Sequence, residues 1–179
     1  RVGQAIAERL LGFRCRVCAH DTRPNSIPPH LAHVVDAIAL NDLLARSDYV
    51  VLALPLSAAT RRIIDADALA RMKPSALLVN PARGSLVDER AVADALETGY
   101  AADVFECEDW SRDNRPSGID RRLTAVGAAT VLTPHIGSAV ANVRRDIELS
   151  AARSIVDALS GREPNGAVNK PDRPRASSA

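Results

Sequence analysis

The sequence has no apolar run approaching the roughly 18 residues of a membrane span, no cationic stretch leading into an apolar one at its start, no even set of cysteines and no surplus of one charge. Each lack excludes something. Without the apolar run and the leader pattern, neither a membrane partner nor export is expected, and the default compartment is cytoplasmic. Lysine and arginine total 23 against 22 aspartates and glutamates, a formal charge of +1. That balance gives nucleic acid or an acidic surface nothing to grip, so small-molecule partners are expected. Three cysteines, at 15, 18 and 107, make no disulfide framework, and reduced thiols suit the cytoplasm. Cys15 and Cys18 do form a C-x-x-C, but the pair reads as part of a strand, where positions i and i+3 face opposite sides. No metal site is expected. No internal repeat or low-complexity segment appears.

What is present is an ordinary globular composition, 46% apolar and 25% charged over 179 residues, enough for one good core and not for two domains. Val2, Ile6, Leu10 and Phe13 recur at helical spacing, with Gly12 as a stop. A chain that starts almost inside a helix, with no strand or capping loop before it, reads as part of a larger unit. Residues 15–21 are rich in strand formers and are followed by a proline-bearing connection over 23–33. A helix is expected over 41–46, and the apolar run 49–54, stopped by Pro55, suits a buried parallel strand. Asp65 can cap a helix through Met72; residues 75–80 (SALLVN) form another buried strand; Asp88 can cap a helix ending near Gly99. Residues 101–105 (AADVF) and 130–134 (TVLTP) are two further strands. A long amphipathic helix over 139–159, closed by Gly161, precedes a poorly ordered tail from residue 162. Strands alternating with helices predict an α/β fold with one largely parallel sheet, as a domain over 1–161 and a tail over 162–179.

In an open parallel sheet ligands bind beyond the carboxyl ends of the strands, and the residues there are informative. Pro81-Ala82-Arg83-Gly84-Ser85, Glu106-Cys107-Glu108-Asp109 and Pro134-His135-Ile136-Gly137-Ser138 each follow a strand. Taken singly, each has a bland reading as a solvated loop charge or a structural histidine. Together they bring an arginine, a carboxylate and a histidine to one sheet edge. Arg83 would hold an anionic substrate by a charge-assisted fork, His135 would take a proton, and Glu108 would orient the imidazole. Hydride would have to go to a cofactor, because no side chain accepts one. A dinucleotide fingerprint is half present: Gly3 can be its last glycine, and Asp21, 18 residues on, fits the ribose-binding acid.

At these residues the chain resembles the D-isomer-specific 2-hydroxyacid dehydrogenases, over nearly its whole length. NPARGSLVDE, AADVFECED and TPHIGS resemble three segments of that family. The resemblance implies a Rossmann-like, doubly wound parallel sheet lacking its first strand and the separate substrate domain. It also implies NAD as cofactor, bound by Gly3, Asp21, Thr22, Leu54, Pro55, Pro81, Ala82, Asp103 and Gly137, and a catalytic set of Arg83, Glu108 and His135. Within the family, Glu108-Asp109-Trp110 replaces the usual Glu-Pro, and EDWSRDNRP and HIGSAVANVRRDIE are similar to the phosphite (phosphonate) dehydrogenase branch. That implies Arg144 as a further active-site arginine, phosphite oxidation by NAD to phosphate, and a homodimer in the full-length enzyme. Rivals are a dehydrogenase of small D-2-hydroxy acids using the same residues, a non-catalytic NAD-binding interaction module, and a broken product that binds nothing. The family usually has several more residues between the positions of Gly99 and Tyr100, so the connection into the next strand is expected to be short.

Overall fold

The computed structural model describes residues 2–23, 26–95, 99–125, 127 and 129–168. They divide into two compact units, Arg1–His135 and Ile136–Ala179.

The first unit alternates helices and strands: α1 (Val2–Leu11), β1 (Val17–Ala19), β2 (Val35–Ala37), α2 (Leu40–Arg46), β3 (Tyr49–Val51), α3 (Ala66–Arg71), β4 (Leu77–Asn80), α4 (Glu89–Asp94), β5 (Gly99–Ala102) and β6 (Thr130–Leu132). Two 3-10 turns, Gly84–Leu86 and Glu106–Glu108, follow β4 and β5. The caps read from the sequence form: Asp65 accepts the Ala68 N–H at 2.9 Å and Asp88 accepts the Ala91 N–H at 3.2 Å, each taking one of the donors a helix start leaves unpaired.

All strand pairings are parallel. β3-β4-β5-β6 form one sheet, with Leu78 opposite Val50 and Tyr100, and Ala102 opposite Leu132. Parallel neighbours need crossover connections, and those after β3 and β4 contain α3 and α4. Leu44 of α2, Leu69 of α3 and Val92 of α4 join one buried cluster with Val50, Leu78 and Tyr100 of the strands. Each such aliphatic side chain contributes roughly 1.5–3 kcal/mol on burial. Because every strand runs the same way, the loops leaving β4, β5 and β6 emerge at one edge.

The structure corrects the sequence reading in five places. The parallel strands fall into two sheets, because β1 pairs only with β2 and no described strand joins β1 to β3. β2 was not foreseen: of its three residues only Val35 is buried, too short a signal for periodicity to register. Cys15 precedes β1 and is exposed, while Cys18 Sγ lies 3.6 Å from Ser47 Oγ. The turn after α1 carries its left-handed residue at Arg14, φ 59°, rather than at Gly12, since the Phe13 and Arg14 N–H groups still reach back to Leu10 and Leu11. The expected strand at 101–105 begins earlier, at Gly99, so the short connection is absorbed into β5 itself.

The second unit is built on α5 (Ala141–Leu159), which has no buried residue. Gly161 closes it at φ 71°, and the Arg162 N–H bonds the Asp157 carbonyl at 2.8 Å, the long-range bond of a glycine-terminated helix end. The expected tail is described only through Val168; residues 169–179 lie outside the described residues. Among the described residues no helix is long and apolar enough to cross a membrane.

Candidate active site

Three loops at the carboxyl edge of β4-β5-β6 meet, and buried polar groups shape the first two. After β4, the fully buried Asn80 folds its amide over the turn: Nδ2 donates to the Arg83 carbonyl at 2.9 Å and Oδ1 accepts the Ala82 N–H at 3.1 Å. Arg83 is left exposed, its guanidinium donating to the Ala82 carbonyl at 2.6 Å. Gly84 lets this turn lie against the next one, because a Cβ there would fall 1.9 Å from the carbonyl carbon of Phe105. No other residue fits so close a backbone approach.

The second loop carries Glu108 at the end of its 3-10 turn. One carboxylate oxygen, Oε1, accepts the Phe105 N–H at 2.7 Å; the other, Oε2, meets His135 Nδ1 at 2.5 Å. An ionised carboxylate only accepts, so Nδ1 carries the proton in that bond and Nε2 is left as the basic nitrogen. His135 itself follows β6 in the left-handed region, φ 53°, sparsely populated by residues other than glycine. Its N–H bonds the Thr133 carbonyl at 3.0 Å, and Thr133 Oγ1 donates to Asp103 Oδ1 at 2.6 Å, tying the ends of β5 and β6 together.

Charges around the Glu108 turn are paired. Glu106, 2% exposed, is held by Arg62 and Arg112, each at 3.2 Å. Arg62 adopts φ 49° and also reaches Asp88 at 3.1 Å. Asp109 accepts from Ser111, Ser85 and Arg61 at 2.5, 2.7 and 2.8 Å, which hold its carboxyl well below the usual range. Trp110 is exposed and stacks under the Arg115 guanidinium at 3.9 Å. Burial pushes the Cys107 thiol up, away from a reactive thiolate.

The residues expected at the cofactor, Gly137 apart, belong to the first unit. Gly3, in the first turn of α1, brings that helix against Ala53: a Cβ on Gly3 would stand 3.3 Å from the Ala53 side chain, beside Leu54 and Pro55. Asp21 is two residues past β1 and exposed, next to Thr22. Arg23 forks onto its carboxylate at 3.0 and 3.2 Å and donates its N–H at 2.9 Å, holding the acid down to about 2. Pro81, Asp103 and Thr133, with Asn80, line a hollow of about 160 Å³ at the ends of β4, β5 and β6. An exposed acid just past β1 and a hollow at the strand ends are the kinds of group and cleft a dinucleotide takes. Gly137 and Arg144 belong to the second unit, where Arg144 Nε donates to the Ser138 carbonyl at 3.0 Å. The sequence reading did not single out Asn80, Arg62 or Glu89. Asn80 had a signal: it is the polar residue that ends a buried apolar strand just before a proline.

Comparison with known proteins agrees with this architecture. Residues 1–137 match the model of the D-isomer specific 2-hydroxyacid dehydrogenase, NAD binding domain, and the chain belongs to that family. Over 174 residues it is 37% identical to the D-3-phosphoglycerate dehydrogenase of Mycobacterium tuberculosis, covering 94% of this chain and 31% of that protein. Over 175 residues it is 38% identical to the glyoxylate reductase of Pyrococcus furiosus, covering 95% of this chain and 49% of the relative. A solved structure from Thermus thermophilus superposes with a TM-score of 0.78 at 36% identity, over 94% of this chain and 50% of the other. The chain thus spans between about a third and a half of the length of the relatives it matches. The cofactor of the family's domain is NAD.

Proposed function

We propose that this chain supplies the NAD site and the acid–base pair of a dehydrogenase that interconverts a small 2-hydroxy acid and its 2-oxo acid. The observation that carries the reading is the Glu108–His135 hydrogen bond, 2.5 Å across two loops of one sheet edge, with Arg83 exposed in the loop that follows the neighbouring strand β4. NAD, when bound, supplies the hydride acceptor that no side chain offers. The residues do the rest. Arg83 binds the substrate carboxylate; His135 Nε2 takes the hydroxyl proton during oxidation and returns it to the carbonyl oxygen during reduction; Glu108 keeps the imidazole in the tautomer that leaves Nε2 basic and stabilises its protonated form. Asp21 takes the ribose hydroxyls, which requires Arg23 to release part of its fork.

Phosphite oxidation is the second reading, favoured by the Glu108-Asp109-Trp110 segment and by Arg144. The relatives named above are a phosphoglycerate dehydrogenase and a glyoxylate reductase, which favours the 2-hydroxy acid. Asp109 is also engaged by Arg61, Ser85 and Ser111 rather than free for a substrate. The test joins the chain to the amino-terminal half of a glyoxylate reductase and follows absorbance of the reduced cofactor across glyoxylate, hydroxypyruvate, D-lactate, D-glycerate and phosphite. Turnover of an organic acid is expected, with H135A lowering kcat by about 100-fold or more, as loss of a general base does. Turnover of phosphite alone would overturn the first reading in favour of the second. An H135A enzyme as fast as the parent would remove His135 from the chemistry of either.

A further inference from the structure

Glu89 opens α4 and is 3% exposed. An acid in the first turn of a helix is ordinarily a solvated charge that favours the helix dipole. This one is in the core, and among the described residues it has no ion-pair partner; the charges acting on it, Glu106, Glu108 and Asp120, are all acidic. Burying a carboxyl among carboxylates costs stability, so its return must lie in the bond it makes. Glu89 Oε1 accepts the Glu106 backbone N–H at 2.5 Å.

That amide is the first of the 3-10 turn whose last residue is Glu108. The leading N–H groups of a helical turn have no partner within it, and here two carboxylates take two consecutive ones. Glu108 itself takes that of Phe105, and Glu89 takes that of Glu106. Rotation of the turn about its own axis would break both bonds and swing Glu108 Oε2 away from His135. We propose that Glu89 is a positioning residue: from inside the core it fixes the amide of Glu106, and through that turn it aims Glu108 at His135. The proposal rests on the acid–base reading of the Glu108–His135 pair.

The test reads the pair directly, in the purified chain, as the His135 Nδ1–H proton resonance, which moves far downfield when the proton is shared with a carboxylate. E89M keeps the volume and the burial and removes the acceptor; E89A removes it with a smaller side chain, which leaves space rather than strain; E89Q keeps an acceptor oxygen. V92A, at a position 1% exposed on the same helix, loosens the core without touching the turn. The expected result is that E89M and E89A lose the downfield resonance or move it upfield, while E89Q and V92A retain it. An unmoved resonance in folded E89M or E89A overturns the proposal, and so does an equal movement in V92A, which would make the effect one of general destabilisation. E108Q separates the two layers of the argument. If it abolishes the resonance while E89M and E89A do not, only the role of Glu89 fails. If E108Q leaves the resonance in place, the acid–base pair fails, and the proposal falls with it.

Discussion

The carboxyl ends of β1 and of β5 each present an acid, and they do so in opposite ways. Beyond β5, Glu108 is braced from several sides by the Phe105 amide, His135, a turn held by Glu89, Arg62 and Arg112, and a glycine that admits the neighbouring loop. Beyond β1, Asp21 is held, among the described residues, by hydrogen bonds from Arg23, two residues away and with 80% of its side chain exposed. β1 contributes no buried residue, whereas Leu78 and Tyr100, from neighbouring strands of the larger sheet, are almost wholly buried. The difference follows from what each acid is asked to do under the proposed function. A proton-transfer pair works best when its geometry is set before substrate arrives. A ribose-binding acid must exchange one partner for another each time the cofactor enters or leaves, so a local, exposed partner serves it better than a buried network.

The contrast is broken most severely at Gly84. A methyl group there would overlap the Phe105–Glu106 backbone, so G84A must push apart the two turns that carry Arg83 and Glu108. A loss of about 3 kcal/mol or more in unfolding free energy is expected, at or above the upper end of the usual range for a forced backbone shift in a packed interior. Denaturant titration of parent and variant checks it, and a loss below about 1 kcal/mol would mean that the two turns are not rigidly opposed.

A smaller effect comes from the buried charge behind the Glu108 turn. Burial pushes the Glu89 carboxyl up to about 7 from its ordinary 4.5, with Glu106, Glu108 and Asp120 adding to the shift. Between those values the folded chain binds more protons than the unfolded one, so stability falls as pH rises from 4.5 to 7 and levels off above. The drop is about 3 kcal/mol at most, and E89Q should flatten it. Asp21 and Asp120 are held down to about 2, so their contributions are lost only below pH 4, outside this window. Urea midpoints measured from pH 4 to 8 decide the matter; a parent curve with no descent would show that Glu89 is solvated.

The mildest effect belongs to the exposed acid. D21A should weaken NAD about tenfold, one charge-assisted interaction's worth, and pairing it with T22R should shift preference toward NADP, since the carboxylate no longer repels a 2′-phosphate. Calorimetric titration of both cofactors measures this, and an unchanged ratio would take Asp21 out of the cofactor site. The melting temperature without cofactor should hardly move, because an exposed ion pair contributes little.

Legibility in the sequence followed the same divide. The caps at Asp65 and Asp88, the apolar runs that contain β3 and β4, though Tyr49 and Leu77 in them are exposed, and the glycine that closes α5 were all visible, because each depends on residues a few positions apart. β2 was not, since a three-residue strand with one buried side chain leaves no period to detect. Glu89 looked like an ordinary acid in the first turn of a helix, and nothing local distinguishes a solvated glutamate there from one turned into the core.

The sequence by itself determined the α/β alternation and the placement of Arg83, Glu108 and His135 in loops that follow three successive strands. Parallel strands joined by crossovers deliver such loops to one edge whatever the details of packing. Only the tertiary structure decided which charges meet. That Glu108 spans an amide and an imidazole, that Arg62 bridges Glu106 and Asp88, that Glu89 is buried and that the strands split into two sheets all depend on the separation of segments tens of residues apart. Those separations are set by how side chains fill the space between helices and sheet, and no periodicity along the chain records them.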